Sequence, residues 1–307
     1  MPAQLSVHLP EDAALVRILS EGAAYELGRA PECEIVVQHA SVSRRHARLA
    51  CDGARWSIQD LNSKNGLRID GMPRAAGELR DGQWFSIGDV FCQFHRIESE
   101  QVAALAERAE RRRYSSQAWT ERIQRAAGAD VLLSALVSAI VELAECRRGL
   151  LLTCARSGEL RVRACFQIDP TELESGRFRY SRGAVTRALA ERRPVFLSQP
   201  ADRAWLGERQ SVLAEKLQAL ACLPLVHEGE LLGAAYADSD DPGKVLSELD
   251  AEILTAFSDQ AALALAAHDL QRELARLETW VTVANGSHRP GTGPAPAFRG
   301  DDTALAT

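Results

Sequence analysis

The sequence lacks the paired cysteines and clustered histidines on which a disulfide framework or a zinc site depends. Its seven cysteines are scattered without a Cys-x-x-Cys pair, and its seven histidines also stand singly. Both kinds of site need closely spaced or matched ligands. We therefore expect no structural disulfide, no metal and no cofactor, and we expect the cysteines to behave as small, reduced, apolar side chains.

Long hydrophobic runs and a secretory leader are also missing. The longest apolar stretch, residues 131–144, is interrupted by polar side chains, and it is shorter than the roughly 20 residues that a membrane helix requires. The N-terminus shows no basic start followed by an apolar segment. The sequence therefore predicts a cytoplasmic protein without a membrane partner.

An excess of positive charge is absent too, since 36 Lys and Arg face 42 Asp and Glu for a formal net charge of −6. This balance disfavours general nucleic-acid binding. The sequence contains no P-loop Gly-x-x-x-x-Gly-Lys-Ser/Thr and no recognisable pair of nucleophile and base. We therefore predict that the protein is not an enzyme, and that any output comes from a partner.

Residues 1–98 carry short strand-like runs separated by glycine-containing turn signals. Regularly spaced short strands of this kind predict an all-β sandwich, whose loops cluster at its ends. The clearest runs are Glu34–Val37, Ala47–Cys51, Arg55–Ile58, Leu67–Ile69 and Gln83–Ile87.

Three short motifs in this region carry residues suited to a phosphate group. They are Gly28-Arg29, Ser43-Arg44-Arg45-His46 and Asn65-Gly66. A phosphate monoester carries close to two negative charges at neutral pH and offers three strong acceptor oxygens. Arginine can bind it through two hydrogen bonds without losing its charge, and a serine hydroxyl adds a short neutral donor.

The order and spacing of these motifs, together with Trp56–Leu61, Leu79–Gln83 and Ile87-Gly88, resemble a forkhead-associated (FHA) domain. That family binds phosphothreonine peptides and catalyses nothing. The resemblance implies that Arg29 and Ser43 contact the phosphate and that Asn65 holds the peptide backbone. Arg44 and Lys64 would add positive potential, whereas Gly28, His46 and Gly66 would support the loops. Leu67 stands where many members have Thr, which leaves the peptide preference open.

Residues 99–124 are strongly charged and have helical periodicity. The run Glu107–Arg113 predicts a linker helix that is exposed all round, and its basic cluster is either a solvated face or a contact for acidic partners.

The following stretch alternates helical and strand-like segments. Apolar positions predict a helix over residues 130–145, and two strand pairs follow, one joined at Ser157-Gly158 and one at His227–Gly229. Between the pairs, Ser181 can cap a helix that ends before Pro194. The order resembles a GAF domain, a small-molecule sensor module with a central antiparallel sheet and terminal helices. The residues that carry this likeness are Ser181–Val185, Pro194–Phe196, Leu223–Leu225, Leu231–Asp238 and Phe257–Ala264.

The two resemblances predict a multidomain chain, with an FHA sandwich at 1–98, a helical linker at 99–124 and an α/β GAF domain at 125–272. The end of the last helix and a disordered tail would occupy 273–307. The GAF ligand is unknown, because its aromatic residues can line a pocket or simply fill the core. Those residues are Phe166, Phe178, Trp205 and Tyr236.

The last helix has apolar residues at heptad spacing, which predicts either a parallel dimer or packing on its own sheet. Leu249, Ala256, Leu263, Leu270 and Leu277 form one row, and Ile253, Gln260, Ala267 and Leu274 form the other.

Two functions remain open from the sequence. The first is a cytoplasmic, dimeric signalling adaptor that binds a phosphothreonine-containing protein, either a Ser/Thr kinase or its substrate. The second is a small-molecule sensor whose GAF pocket is primary and whose FHA domain only docks it to a partner.

Overall fold

A computed structural model of the protein describes residues 1–10, 12–154, 159–169, 171, 181–198, 217–241 and 244–286. The predicted turn at Ser157-Gly158, the pocket candidates Phe178 and Trp205, and the tail beyond residue 286 lie outside these ranges.

The N-terminal part is a sandwich of two sheets, as the sequence predicts. One sheet has the strand order β2-β1-β11-β10-β7-β8, and the other has the order β4-β3-β5-β6-β9. The strands are β1 (Ala3–His8), β2 (Leu15–Leu19), β3 (Ala24–Gly28), β4 (Ile35–Val36), β5 (Ala47–Asp52), β6 (Arg55–Asp60), β7 (Leu67–Ile69), β8 (Met72–Arg74), β9 (Ala76–Leu79), β10 (Gln83–Ile87) and β11 (Val90–Arg96).

Alternating side chains of both sheets meet in one apolar core, which holds the sandwich together. Trp56 is fully buried there against Phe94, with ring centroids 5.8 Å apart. Its indole Nε1 donates to the Met1 carbonyl at 3.1 Å, so the polar tip of the ring is also satisfied.

The strand register places several connections at one end of the sandwich. In the first sheet, Ile87 pairs with both Val90 and Leu67, so the β10–β11 turn and the β6–β7 loop lie at the same end of the strands. In the second sheet, Ala47 pairs with Leu27 and with Asp60, which brings the loop after β3, the loop before β5 and the loop after β6 to that end as well. We call this end of the sandwich the loop end.

Helix α1 (Ser99–Gln124) begins and ends where the sequence predicts a linker helix, but it is not exposed all round. The Arg112 side chain is only 14% exposed and pairs with Asp250 at 2.5 Å. It also donates to the Leu143 carbonyl, so one face of α1 packs against later parts of the chain. The prediction failed because the local charge run contains no information about partners that are distant in sequence.

The remaining chain forms a five-stranded antiparallel sheet, with the order β13-β12-β16-β15-β14 and helices on both faces. Ser181 caps the helix on one face by accepting from the Ala184 amide, as the sequence predicts. The elements are α2 (Ala129–Leu143), β12 (Arg148–Cys154), β13 (Leu160–Phe166), α3 (Arg182–Glu191), β14 (Val195–Ser198), β15 (Ala219–His227), β16 (Glu230–Ser239) and α4 (Glu248–Gly286).

Helix α4 contributes to two compact units, residues 1–266 and 267–307. In the first unit, its buried residues Ile253, Phe257 and Ala261 join the core that also contains α2. In the second unit, heptad positions such as Leu270 and Leu277 are 62% and 57% exposed. Across the described residues, every helix is too short or too polar to cross a bilayer.

Candidate functional site

The loop end gathers the residues that the FHA resemblance assigns to phosphopeptide binding. Arg29 directly follows β3, and Ser43 lies between β4 and β5. Lys64 and Asn65 lie between β6 and β7. The predicted residues therefore come from three separate loops and meet at one edge.

Ser43 is the point at which these loops are joined. Its carbonyl accepts from the Arg29 amide at 2.9 Å, and its hydroxyl oxygen accepts from the Lys64 amide at 2.9 Å. Because the hydroxyl accepts that bond, its own proton stays available for an incoming acceptor. The Ser43 side chain thus braces the loops and still has a donor to offer.

His46 is a buried residue that holds the same loops together. The ring is fully buried, and its Nδ1 accepts from the Ser43 amide at 3.1 Å. Nδ1 therefore carries no proton, and Nε2 donates to the Gly66 carbonyl at 3.0 Å. Gly66 has φ of +75°, a conformation that favours glycine. His46 links two of the loops without reaching the surface.

Asn65 is exposed, and its amide nitrogen donates to the Ser41 carbonyl at 2.7 Å. This bond orients the side chain, whose amide oxygen can accept a further hydrogen bond. The Ser41 hydroxyl also accepts from the Asp89 amide at 2.8 Å. Sequence analysis missed Ser41, whose only signal was its position two residues before Ser43.

Asp60 and Ser63 hold the β6–β7 loop in shape, and sequence analysis missed both. The Asp60 carboxylate accepts from the Ser63 amide at 3.1 Å and from its hydroxyl at 2.6 Å. The Ser63 hydroxyl oxygen in turn accepts from the Gly66 amide at 3.0 Å. An Asp followed three residues later by Ser is a typical turn pattern, which could have indicated this role.

Gly28 is required by packing and not by its backbone angle. A Cβ at this position would lie 2.2 Å from the Arg44 carbonyl oxygen and 2.8 Å from Cys33 Sγ. The absence of a side chain lets β3 approach the Ser43 loop closely enough for the Arg29 and Ala30 amides to bond to it.

The site carries three exposed cations, Arg29, Arg44 and Lys64. None of them has a carboxylate within ion-pair distance among the described residues. Arg45 contrasts with them, since it pairs with Glu26 at 2.5 Å and its hydrogen bonds lower the pKa of that carboxyl. Among the described residues, Arg45 therefore forms an ion pair with a carboxylate, whereas the adjacent Arg44 does not.

The second domain contains a buried polar network on the sheet face that packs against α3. The Tyr236 hydroxyl donates to Asp238 at 2.8 Å, and Arg148 Nε donates to the same carboxylate at 2.8 Å. Burial raises the pKa of the Asp238 carboxyl despite Arg148, and it also raises the pKa of Tyr236. Phe166, the remaining described pocket candidate, packs against the core on the α2 face.

Residues 25–88 match a model of the FHA domain, and residues 129–265 match a model of the GAF domain. An oxoglutarate dehydrogenase inhibitor of Corynebacterium jeikeium (strain K411) is 30% identical over 90 residues, which cover 26% of this chain and 62% of that protein. The glycogen accumulation regulator GarA of Mycolicibacterium smegmatis is 31% identical over 72 residues, or 24% of this chain and 46% of that protein.

The chain thus spans less than two thirds of either curated relative. The solved GAF domain of a phosphoenolpyruvate-protein phosphotransferase from Coxiella burnetii is 16% identical, with a TM-score of 0.43, and covers 54% of this chain and 98% of that one. Together, the two domain matches and the fold show that the chain carries an FHA domain followed by a GAF domain.

Proposed function

We propose that the protein is a cytoplasmic signalling adaptor that binds phosphothreonine-containing proteins through the loop end of its FHA domain. The observation that carries the proposal is the pair of hydrogen bonds at Ser43, whose carbonyl accepts from the Arg29 amide and whose hydroxyl accepts from the Lys64 amide. Both cations are thereby held beside Ser43, and neither has a carboxylate of the described residues within ion-pair distance. Phosphothreonine binding is typical of FHA domains, and the chain would act by binding alone.

The chemistry of this site suits a phosphate better than a carboxylate. A phosphate offers three acceptor oxygens and close to two charges, and Arg29 and the Ser43 hydroxyl can each donate to a different oxygen. Asn65 would then accept from the peptide backbone beside the phosphothreonine. Arg44 and Lys64 would raise the association rate and the affinity through their field.

The partner would be a Ser/Thr kinase or one of its substrates. Two relatives are named as an inhibitor of oxoglutarate dehydrogenase and as a regulator of glycogen accumulation. A binding protein that controls an enzyme without catalysing a reaction is consistent with both names.

Calorimetric titration with a phosphothreonine peptide and its unphosphorylated twin tests the proposal. We expect binding of the phosphorylated peptide alone. Arg29→Ala should weaken it at least about tenfold, because a charge-assisted hydrogen bond contributes about 1.5–3 kcal/mol. Arg55→Ala, an exposed arginine at the opposite end of β6, is the matched control and should leave the affinity unchanged. Equal affinity for both peptides would contradict the proposal.

We also propose that the chain forms a homodimer through the distal part of α4. Its exposed apolar side chains continue the heptad rows, and a second copy presents the same rows. Dimerisation would add avidity toward a multiply phosphorylated partner. The residues concerned are Leu263, Leu270, Leu274 and Leu277, each at least 48% exposed.

Analytical ultracentrifugation tests this interface. Leu270→Glu with Leu277→Glu places charges in the rows and should convert the dimer to a monomer. Ala275→Glu adds the same charge on a face of the helix outside both rows and should leave the dimer intact. A wild-type monomer at micromolar concentration would contradict the proposal.

A sensor function of the GAF domain is the second candidate, and the buried Tyr236, Asp238 and Arg148 network favours it. Such a network could hold a polar metabolite. Native mass spectrometry of the purified full chain should then show an added mass, and a clean apoprotein mass would count against the sensor.

A further inference from the structure

The loop between β1 and β2 of the FHA domain contacts the segment that leads into α4. The Ala14 amide donates to the Leu246 carbonyl at 2.7 Å, and the Glu248 amide donates to the Ala14 carbonyl at 3.0 Å. Ala14 and Ser247 thereby form a parallel bridge. Ala13, only 3% exposed, belongs to the core that otherwise consists of α1, GAF and α4 residues.

Charged contacts hold the same segment, residues 244–250, which we call the junction segment. Arg17 of β2 pairs with Glu248 at 2.6 Å. Arg112 of α1 pairs with Asp250 at 2.5 Å, and Lys244 pairs with Glu145 at 3.2 Å. The junction segment is therefore held by the FHA domain, the linker helix and the end of α2 together.

The Ala14 carbonyl has a specific role at the start of α4. The first N–H groups of a helix have no partner within it. The Ser247 hydroxyl oxygen accepts from the Asp250 amide at 3.4 Å, and Asp250 accepts from the Ser247 amide at 2.6 Å, as in a capping box. The Glu248 amide finds its acceptor in another domain, so docking of the FHA domain completes the N-terminus of α4.

This contact lies at the loop end of the sandwich. Strand β1 is antiparallel to β11, and His8 pairs with Phe91, two residues after Asp89. The β1–β2 loop therefore leaves the sheet at the same edge as the β10–β11 turn. The GAF domain is docked at the end of the FHA domain that carries the candidate phosphopeptide site, and not at the opposite end.

Hydrogen bonds and strand pairing connect the candidate site to the end of β1, from which the docked loop begins. Asn65 donates to the Ser41 carbonyl, and the Ser41 hydroxyl accepts from the amide of Asp89. Asp89 leads directly into β11, whose first residues pair with the end of β1. A ligand that restrains Asn65 and the β10–β11 turn would thus restrain strands that enter the docked loop.

We propose that phosphopeptide binding at the loop end and docking of the β1–β2 loop on the junction segment stabilise each other. The inference rests on the proposed phosphopeptide function and adds its regulation. Because such coupling is reciprocal, a change at the junction segment alters peptide affinity by the factor with which the peptide alters the junction.

Amide hydrogen exchange on the full chain, read by mass spectrometry over residues 244–254, tests the coupling. A saturating phosphothreonine peptide should slow exchange there by about fivefold, the lower range of typical allosteric coupling. The unphosphorylated twin should have no effect. Ala13→Glu places a charge in a core position and should undock the β1–β2 loop. It should abolish the protection from exchange and lower the affinity for the phosphopeptide by a similar factor.

Ala54→Glu is the matched control, because Ala54 is exposed between β5 and β6 at the opposite end of the sandwich. It should retain both protection and affinity. If the phosphopeptide binds wild type without slowing exchange at 244–254, the coupling is refuted and the proposed function stands. If it does not bind, both fall. Should Ala13→Glu fail to fold, the wild-type exchange comparison decides alone.

Discussion

Arg29 and Arg112 are the same residue type in opposite situations. Arg29 is exposed at the loop end, and its side chain makes one long hydrogen bond within the described residues, 3.4 Å from Nε to the Val42 carbonyl. Arg112 is 14% exposed and is surrounded by Asp250, Glu145 and the Leu143 carbonyl. Arg112 therefore stabilises the packing of α1 against later parts of the chain, whereas Arg29 carries a charge that no carboxylate of the described residues pairs, which is why we propose it as a phosphate ligand.

Because Arg29 and Arg112 differ in their surroundings, their substitution should change the free energy of unfolding by different amounts. Arg112→Met leaves Asp250 buried with an uncompensated charge and should lower the free energy of unfolding by about 3–5 kcal/mol. Adding Asp250→Asn should recover much of this loss. Arg29→Ala should change stability by less than about 0.5 kcal/mol. Urea unfolding of all variants measures these effects.

Arg111→Met is the control for Arg112, because Arg111 is 71% exposed and, in the part of the chain that the structure describes, forms an ion pair with Glu107 of the same helix alone. It should stay within about 0.5 kcal/mol of wild type. If Arg29→Ala and Arg112→Met destabilise equally, the distinction drawn between them is wrong.

His8 is a buried side chain whose ring stacks near Trp84, with centroids 5.2 Å apart. It lies at the end of β1, and neither ring nitrogen has a hydrogen-bond partner in the described parts of the chain. Burial lowers the pKa of His8 to about 4 from 6.5. The folded state therefore keeps the ring neutral. The contribution that the neutral ring makes to the free energy of unfolding is fully present above pH 6.5.

As the pH falls from 6.5 to 4, this contribution of about 3 kcal/mol should be lost, because only the unfolded chain takes up the proton in that window. His8→Phe should flatten the dependence of the unfolding free energy on pH between these values. Equal slopes for wild type and variant in urea titrations at several pH values would refute the assignment.

Substitution of alanine for two glycines should give the smallest changes in stability, and the two changes should have opposite signs. Gly28→Ala drives a Cβ into the Arg44 carbonyl, so it should destabilise by about 1–3 kcal/mol and weaken phosphopeptide binding. Gly183→Ala, in helix α3 with nothing within 4 Å of the new Cβ, should stabilise by about 0.5–1 kcal/mol. Thermal unfolding measures both, and a loss of stability in Gly183→Ala would contradict the packing argument.

Much of the fold could be predicted where the signal is local. All five strand-like runs contain a strand, and α1, the Ser181 cap and the turn before β16 follow the sequence patterns. Strand β8 (Met72–Arg74) was not predicted, because it is short, contains Pro73 and is exposed at every position. It is a strand only because β7 pairs with it.

The candidate site likewise contains residues that could be predicted from the sequence and residues that could not. Arg29, Ser43 and Asn65 belong to motifs that can be recognised over a few residues, and the Asp60–Ser63 turn is local in the same sense. Ser41 differs, because its partners Asn65 and Asp89 are distant in the sequence. The prediction that the linker helix is exposed all round failed at Arg112 for the same reason.

Patterns within a few residues of the sequence are sufficient to predict the turn at Asn65-Gly66, the strand runs, the Ser181 helix cap and the residue types suited to phosphate. These depend on backbone preferences and hydrogen bonds within a few residues. The folded structure was needed to show which arginine is paired, which hydroxyl joins the loops, and that the FHA domain meets the junction segment at its loop end. Those outcomes depend on contacts between residues far apart in the chain, which periodicity and composition do not encode.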